Sequence, residues 1–127
     1  MRARRFEDRA QSTVELALLL PVVVLLLLAV LQVGLVGRDV VLVTHATREA
    51  VRAAAVDPSA TAAADAARRS SGLDPHRLTV RASGRHGAGS RVRVDVTYRV
   101  PTEVPLVGAL LGDHTVHTHA TMRVEGP

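Results

Sequence analysis

The sequence predicts an α+β fold, in which a long N-terminal helix and a short second helix precede a small antiparallel sheet of about three strands. Three observations lead to this prediction. An uncharged apolar run of about 22 residues continues into an amphipathic stretch, an Ala-rich stretch follows an Asp-Pro pair, and later residues alternate with period two. At 127 residues, the chain has room for one small domain beside the apolar run.

The apolar run extends from Leu16 to Gly37. A helix of about 20 residues crosses a hydrocarbon core of about 30 Å, so the run predicts a single transmembrane helix over residues 11–37. Residues 1–10 carry four Arg, against three in the stretch after the run. The positive-inside rule therefore makes residues 1–10 a cytoplasmic basic leader and residues 38–127 an extracytoplasmic domain.

Pro21 lies early in this span and is expected to kink the helix locally, because proline lacks an amide donor and clashes with the preceding turn. A cleavable secretory signal is an alternative reading of the same region. The run is longer than an ordinary signal, and no small-residue cleavage site closes it. These features favour a permanent anchor.

The helical pattern continues beyond the membrane segment over residues 38–56. Small, mostly apolar residues share one face, and Arg, His and Glu side chains occupy the other. The small-residue face comprises Val36, Val40, Val43, Thr47, Ala50 and Ala54. Asp57-Pro58 ends the helix. The result is a rod of about 40 residues, roughly 60 Å long, that packs on a sheet of its own domain or on neighbouring helices.

A second helix is predicted over residues 58–71, with Asp57 as N-cap, Pro58 as first helical residue and Gly72 as C-terminal stop. Strands follow at about residues 77–83, 91–100 and 115–124. The inward face of the middle strand carries Val92, Val94, Val96, Tyr98 and Val100. The apolar connection at residues 101–112 is expected to cover a sheet edge or to touch the membrane surface.

The composition disfavours an enzyme and a nucleic-acid binder. There is no Cys, and no Ser is set in a nucleophile motif with a placed base. All 16 basic residues are Arg, and they are scattered without the aromatic residues that stack on bases. The sequence therefore predicts no catalytic residue, no cofactor and no nucleic-acid partner.

Two groups of residues that contain His have spacings found in chemical sites. His117 and His119 are two apart on a strand and point the same way, as paired metal ligands do, and His114 is nearby. A polar strand face rich in Thr and His explains them without a metal. His45 and Glu49 have the i, i+4 spacing of an ordinary solvated helix pair. No metal site is predicted.

Glu15 is the ionisable residue at the edge of the apolar run, where a carboxylate is costly unless it is paired. Its surroundings, RAQSTVELALLLP, resemble the N-terminal motif of type IV-pilin-like proteins. Among these, they resemble the TadE-like family, which takes part in the assembly of tight-adherence (Flp) pili. The stretch from Asp39 to Val56 is also similar to that family. The resemblance implies cleavage by a prepilin peptidase between Ala10 and Gln11, although Gly is usual before the cut.

The resemblance further implies a minor pilin-like (pseudopilin) subunit for assembly of a tight-adherence pilus or related secretion machine, located in the inner (cytoplasmic) membrane. Its expected partners are membrane lipid, prepilin peptidase, other pilus subunits and assembly proteins. Glu15 would pair with the new amino terminus, within one subunit or on a neighbour, and so set the axial register between helices. An uncleaved single-pass anchor, whose outer domain binds a ligand or wall component, is the alternative.

Overall fold

The computed structural model describes residues 2–102, 104 and 112–125, and for residues 2–12 it describes the backbone alone. Helix α1 (Arg2–Val56) is followed by helix α2 (Ala62–Ser71), a 3-10 turn (Pro75–Arg77) and strands β1 (Leu78–Ser83), β2 (Arg91–Val100) and β3 (His114–Arg123). The predicted α+β fold class is confirmed. Most of the predicted connection at residues 101–112 lies outside the described residues.

Helix α1 is a single helix of 55 residues that contains Pro21. From Thr13 to Val56 it is long and apolar enough to cross a membrane, by length and composition, and it is the one such helix among the described residues. In the part of the chain that the structure describes, α1 is half-buried at Leu28 and Ala29, is first fully buried at Gln32, and is buried at regular intervals from Val43. One helix therefore serves two regions with different surroundings.

The sheet has the order β1-β2-β3, and both pairs are antiparallel. Strand β2 alternates as its period-two pattern predicts, with Val92, Val94, Val96, Tyr98 and Val100 all buried. Helices α1 and α2 pack on this face, α1 against β2 and β3 and α2 against β1. The opposite face of the sheet is polar and exposed.

The core between helices and sheet is built from small side chains. Helix α1 contributes Val43, Ala46, Ala50, Val51, Ala54 and Ala55, and α2 contributes Ala63 and Ala67. Because Ala adds little bulk, the helices lie close to the Val-rich face of β2. Thr47 is the polar member of this layer, and its hydroxyl bonds both to the carbonyl oxygen of Val43 and to the hydroxyl of Thr118 on β3.

The buried face of α1 is wider than the stripe that the sequence predicts. Ala46, Val51 and Ala55 are buried beside the predicted Val43, Thr47, Ala50 and Ala54, whereas the predicted Val40 is 40% exposed. Both the sheet and α2 pack on α1. The buried sector therefore spans two contact surfaces, and a stripe fitted to one of them is too narrow.

Helix α2 begins at Ala62, later than the predicted start at Pro58. The Asp57 amide still donates to the carbonyl of Ala53, one residue past the end of α1, and the N-cap position of α2 is Thr61. The Asp57 carboxylate instead accepts from the Ser59 amide at 2.8 Å in an Asx turn. The predicted stop is present, since Gly72 adopts the left-handed conformation with φ of 63°.

Arg85, in the loop between β1 and β2, holds the C-terminal end of α1. Its guanidinium donates to the carbonyl oxygens of Ala54 and of Asp57. The last turn of α1 contains no basic residue of its own. A cation at this position satisfies free carbonyls and complements the helix dipole. The amide of Glu125 also donates to Ala55, so the chain's last described segment is fixed to the same helix end.

Candidate functional site

Between Thr13 and Val56, the N-terminal half of α1 (residues 13–34) carries Leu and Val side chains on every side. Those from Val14 to Leu27, together with Val30, Leu31 and Val33, have exposed fractions from 44% to 72%, with the highest values at Leu18 and Val33, whereas Leu28 is half-buried. A helix that is hydrophobic all round needs an apolar environment, such as a membrane or a core of neighbouring helices. This surface is therefore a candidate site for contact with lipid or with other helices.

The residues predicted to be functional at the start of this helix all lie within α1. Ala10 and Gln11 are helical, and Glu15 and Pro21 are exposed on the helix surface. The helix continues without interruption from Ala10 to Glu15. Processing between Ala10 and Gln11, pairing of Glu15 and a kink at Pro21 stay predictions.

Gln32 is a polar residue within the apolar run that the sequence reasoning did not use. Its side chain is 5% exposed, and its amide oxygen has no hydrogen-bond partner. It lines a small, mainly apolar pocket with Val36 of α1, Val100 of β2 and His114 of β3. Its signal in the sequence was visible, because it interrupts an otherwise apolar run.

A second pocket, here named the Tyr98 pocket, lies between α1 and the segment that leads into β1. Its polar lining consists of Arg38, Asp39, Asp74, Arg77 and Tyr98. Arg77 and Asp74 form an ion pair at 3.4 Å. Burial raises the pKa of the Tyr98 hydroxyl, and the nearby Asp39 carboxylate raises it further. The hydroxyl is therefore a neutral hydrogen-bonding group in this pocket.

No single motif predicts the Tyr98 pocket, because its residues come from three parts of the chain. Arg38 and Asp39 follow the apolar run, Asp74 begins the 3-10 turn, and Tyr98 lies near the end of β2. The strand pairing places Leu78 opposite Tyr98 and so brings the turn to this end of the sheet. The sequence pattern predicts Tyr98 only as a residue of the core.

The outer face of the sheet carries an ion pair along β2. Arg93 and Asp95 are joined by hydrogen bonds of 2.9 to 3.1 Å. The hydrogen bond from Arg93 lowers the pKa of Asp95, and the charges of Arg93 and His119 lower it further. Register places Asp95 between Arg81 on β1 and His119 on β3. This face is a solvated polar surface.

The His residues considered as metal ligands lie apart from any acidic cluster. The ring nitrogen Nδ1 of His117 and the Thr97 hydroxyl are 3.1 Å apart, and His119 lies opposite Asp95. Across the described ranges, no three His, Cys, Asp or Glu residues are grouped as a metal ion requires. His45 and Glu49 lie on the side of α1 away from the buried face, His45 exposed and Glu49 half-buried.

In the comparison with protein families, residues 10–52 match the family described as "TadE-like protein". This N-terminal segment is similar to TadE-like proteins. The match confirms the resemblance seen around Glu15, covers roughly a third of the chain and ends before the sheet. The comparison with curated proteins found no match, and neither did the comparison with solved structures.

The TadE-like segment includes the whole apolar run and most of the buried face of α1. The apolar run within it belongs to the stretch of α1 that is long and apolar enough to cross a membrane, by length and composition. The TadE-like family is associated with pili as a structural family. The Tyr98 pocket combines residues from inside the match, Arg38 and Asp39, with residues that lie beyond it.

Proposed function

We propose that the protein is a minor pilin-like (pseudopilin) subunit that takes part in assembling a tight-adherence pilus or a related secretion machine. The observation that carries the proposal is the division of α1. The apolar run of α1 lies within the TadE-like match and exposes Leu and Val side chains on every side, and the C-terminal half of α1 is built into a small α+β domain. Such a helix resides in the membrane before assembly and packs against other helices after it.

Glu15 has a defined place in this proposal. If the chain is cut between Ala10 and Gln11, the new amino terminus and Glu15 are four residues apart on a continuous helix, and so on the same face. An ammonium at a helix N-terminus opposes the helix dipole, and a carboxylate one turn away compensates for it. In an assembly of several chains, the same carboxylate pairs with a neighbour's amino terminus and sets the register between helices.

The proposed location is the inner (cytoplasmic) membrane, with the basic leader in the cytoplasm and the domain outside. Membrane lipid, prepilin peptidase and other pilus subunits are the proposed partners. The protein acts by packing and binding, without catalysis, in keeping with the structural character of the TadE-like family. A local kink at Pro21 would adapt the helix to its neighbours near the membrane surface.

Processing is tested by determining the N-terminal residue of the chain recovered from the membrane fraction, by mass spectrometry. We expect a chain that begins at Gln11. Replacing Ala10→Phe should block the cut because the site needs a small residue, and Ala3→Phe in the same leader is the matched control. A chain beginning at Met1 would support an uncleaved anchor, and one beginning after Gly34 would support a secreted protein.

Assembly is tested with Glu15→Gln, which keeps the shape of the side chain and removes its charge. We expect the variant to insert in the membrane like the parent chain but to fail to crosslink to the other subunits in pilus preparations. Glu49→Gln, on the domain half of the same helix, is the control and should behave like the parent. Normal assembly of Glu15→Gln would remove the proposed role of the carboxylate.

A further inference from the structure

We propose that the Tyr98 pocket binds the headgroup of a zwitterionic phospholipid, with its phosphate at Arg38, Arg77 and Tyr98 and its ammonium at Asp39. The inference rests on the membrane-span part of the proposed function, and it is independent of pilus assembly. It adds a ligand site to a domain for which the family match gives no role.

The position of the pocket along α1 is the first argument. Leu35 belongs to the last turn of the apolar run, and Arg38 is the first charged residue after it. Both line the pocket, and three residues of helix separate them by only about 4.5 Å. With the apolar run in the hydrocarbon core, the pocket therefore lies at the level of the headgroups. A soluble ligand would have to compete there with a high local concentration of lipid.

The charges of the pocket are the second argument. Two Arg and two Asp side chains line it, so their formal charges cancel. Asp74 is engaged by Arg77 and by the amide of His76 at 2.9 Å, and Asp39 also has a partner, but a carboxylate accepts up to about four hydrogen bonds and so retains capacity for an ammonium. Arg38 takes part in none of the described ion pairs, and its side chain is exposed. Arg is well suited to bind phosphate, so a headgroup with one phosphate and one ammonium fits this lining better than a purely anionic one.

The buried tyrosine is the third argument. Tyr98 is 4% exposed, yet its side chain lines the polar pocket, while the neighbouring inward residues of β2 are all Val. A neutral hydroxyl is a donor for a phosphate oxygen. Leu35 and Leu42 line the α1 side of the pocket and supply apolar surface for the glycerol portion. Lining of this kind suits a molecule that is polar at one end and apolar at the other.

Tyr98 also supplies the measurement, because it is the one Tyr of the chain and there is no Trp. The full chain in non-ionic maltoside micelles is titrated with dihexanoyl-phosphatidylethanolamine, and tyrosine fluorescence is recorded. We expect a saturable change. The same titration with dihexanoyl-phosphatidylglycerol and with inorganic phosphate separates a zwitterionic headgroup from an anionic lipid and from a free anion.

The variants Arg38→Gln and Arg77→Gln should each weaken binding about tenfold, since each removes a charge-assisted contact to the phosphate. Arg52→Gln is the matched control, because Arg52 is exposed on the same helix and does not line the pocket. Circular dichroism verifies that all three variants are folded. Unchanged binding in the two pocket variants would overturn the proposal, as would an equal loss in Arg52→Gln.

The arms of the titration also decide between ligands. Tighter binding of phosphatidylethanolamine than of the other two probes supports the proposal. Equal affinity for phosphatidylglycerol would contradict the zwitterionic assignment, and an equal response to inorganic phosphate would reduce the site to an anion site. Because these measurements need neither processing nor assembly, a chain that binds lipid and stays uncleaved would refute the proposed function alone.

Discussion

The two halves of α1 between Thr13 and Val56 differ in what surrounds them. In the N-terminal half, large Leu and Val side chains surround the helix and are exposed, as at Leu26 with 64%. In the C-terminal half, the buried positions are mostly Ala, such as Ala46 and Ala50 at 0%. In the membrane location that we propose for this half, lipid tails accommodate any side-chain shape, so large side chains are favoured. A sheet a fixed distance away leaves room only for small residues.

Hydrogen bonding differs between the halves as well. The apolar half satisfies its backbone within the helix, as a membrane demands. The domain half ends in water and needs partners for its last carbonyls, which Arg85 and the amide of Glu125 provide. The apolar half of the helix is therefore stabilised by an apolar environment, and its C-terminal end by hydrogen bonds from Arg85 and Glu125. The following predictions test this difference.

The largest expected effect is on membrane insertion. Leu26 and Val41 are exposed to similar extents, 64% and 67%, but only Leu26 lies in the apolar run. Leu26→Arg should oppose insertion by about 2.5–3.5 kcal/mol, whereas Val41→Arg should change it little. Alkaline carbonate extraction of membranes measures the inserted fraction of each variant. Equal insertion of both would mean that the run does not lie in lipid.

Overpacking the core should be the next largest effect. Ala50→Leu forces a larger side chain between α1 and the sheet and should destabilise the domain by about 1–3 kcal/mol. Val56→Leu, at an exposed position near the end of the same helix, should be nearly neutral. Urea unfolding of the full chain in micelles, followed by Tyr98 fluorescence, reports on the domain. If Ala50→Leu were as stable as the parent, the close approach of helix and sheet would be refuted.

Removing the contact at the end of α1 should have a smaller effect. Arg85→Gln loses the charged donor to Ala54 and Asp57, and we expect a destabilisation of about 1–2 kcal/mol. Arg81→Gln, on exposed β1 surface, should stay within about 0.5 kcal/mol. Amide hydrogen exchange should show faster exchange confined to the last turn of α1. Uniformly faster exchange over the domain would contradict a local role.

The smallest effect concerns the outer face of the sheet. Arg93 lowers the pKa of Asp95 in the folded chain, so this pair stabilises the fold above the ordinary pKa of aspartate, about 3.9. Its contribution is lost as the pH falls from there through the lowered folded-state pKa. Asp95→Asn should therefore slightly lower the stability at neutral pH and make the loss of stability on acidification less steep. Thermal unfolding between pH 2 and 7 provides the comparison.

Much of the fold follows from local patterns. The alternation in β2 placed its five inward residues correctly, and the left-handed stop at Gly72 was predicted from one glycine. Such features depend on side-chain directions that repeat every two or 3.6 residues, so nearby residues determine them. The start of α2 was misplaced because Asp57 had two possible roles. Its carboxylate closes an Asx turn at Ser59, and α2 begins only after that turn, at Ala62.

The candidate sites divide in the same way. The apolar run and Glu15 are visible in the sequence, because lipid acts on each side chain separately and a charge at the edge of the run is conspicuous. The Tyr98 pocket joins Arg38, Arg77 and Tyr98, and the end of α1 meets Arg85, across 31 residues of chain. Sequence alone determined which solvent each half of α1 requires. Only the tertiary structure decided which distant polar groups are in contact, because these contacts depend on how the sheet packs against α1.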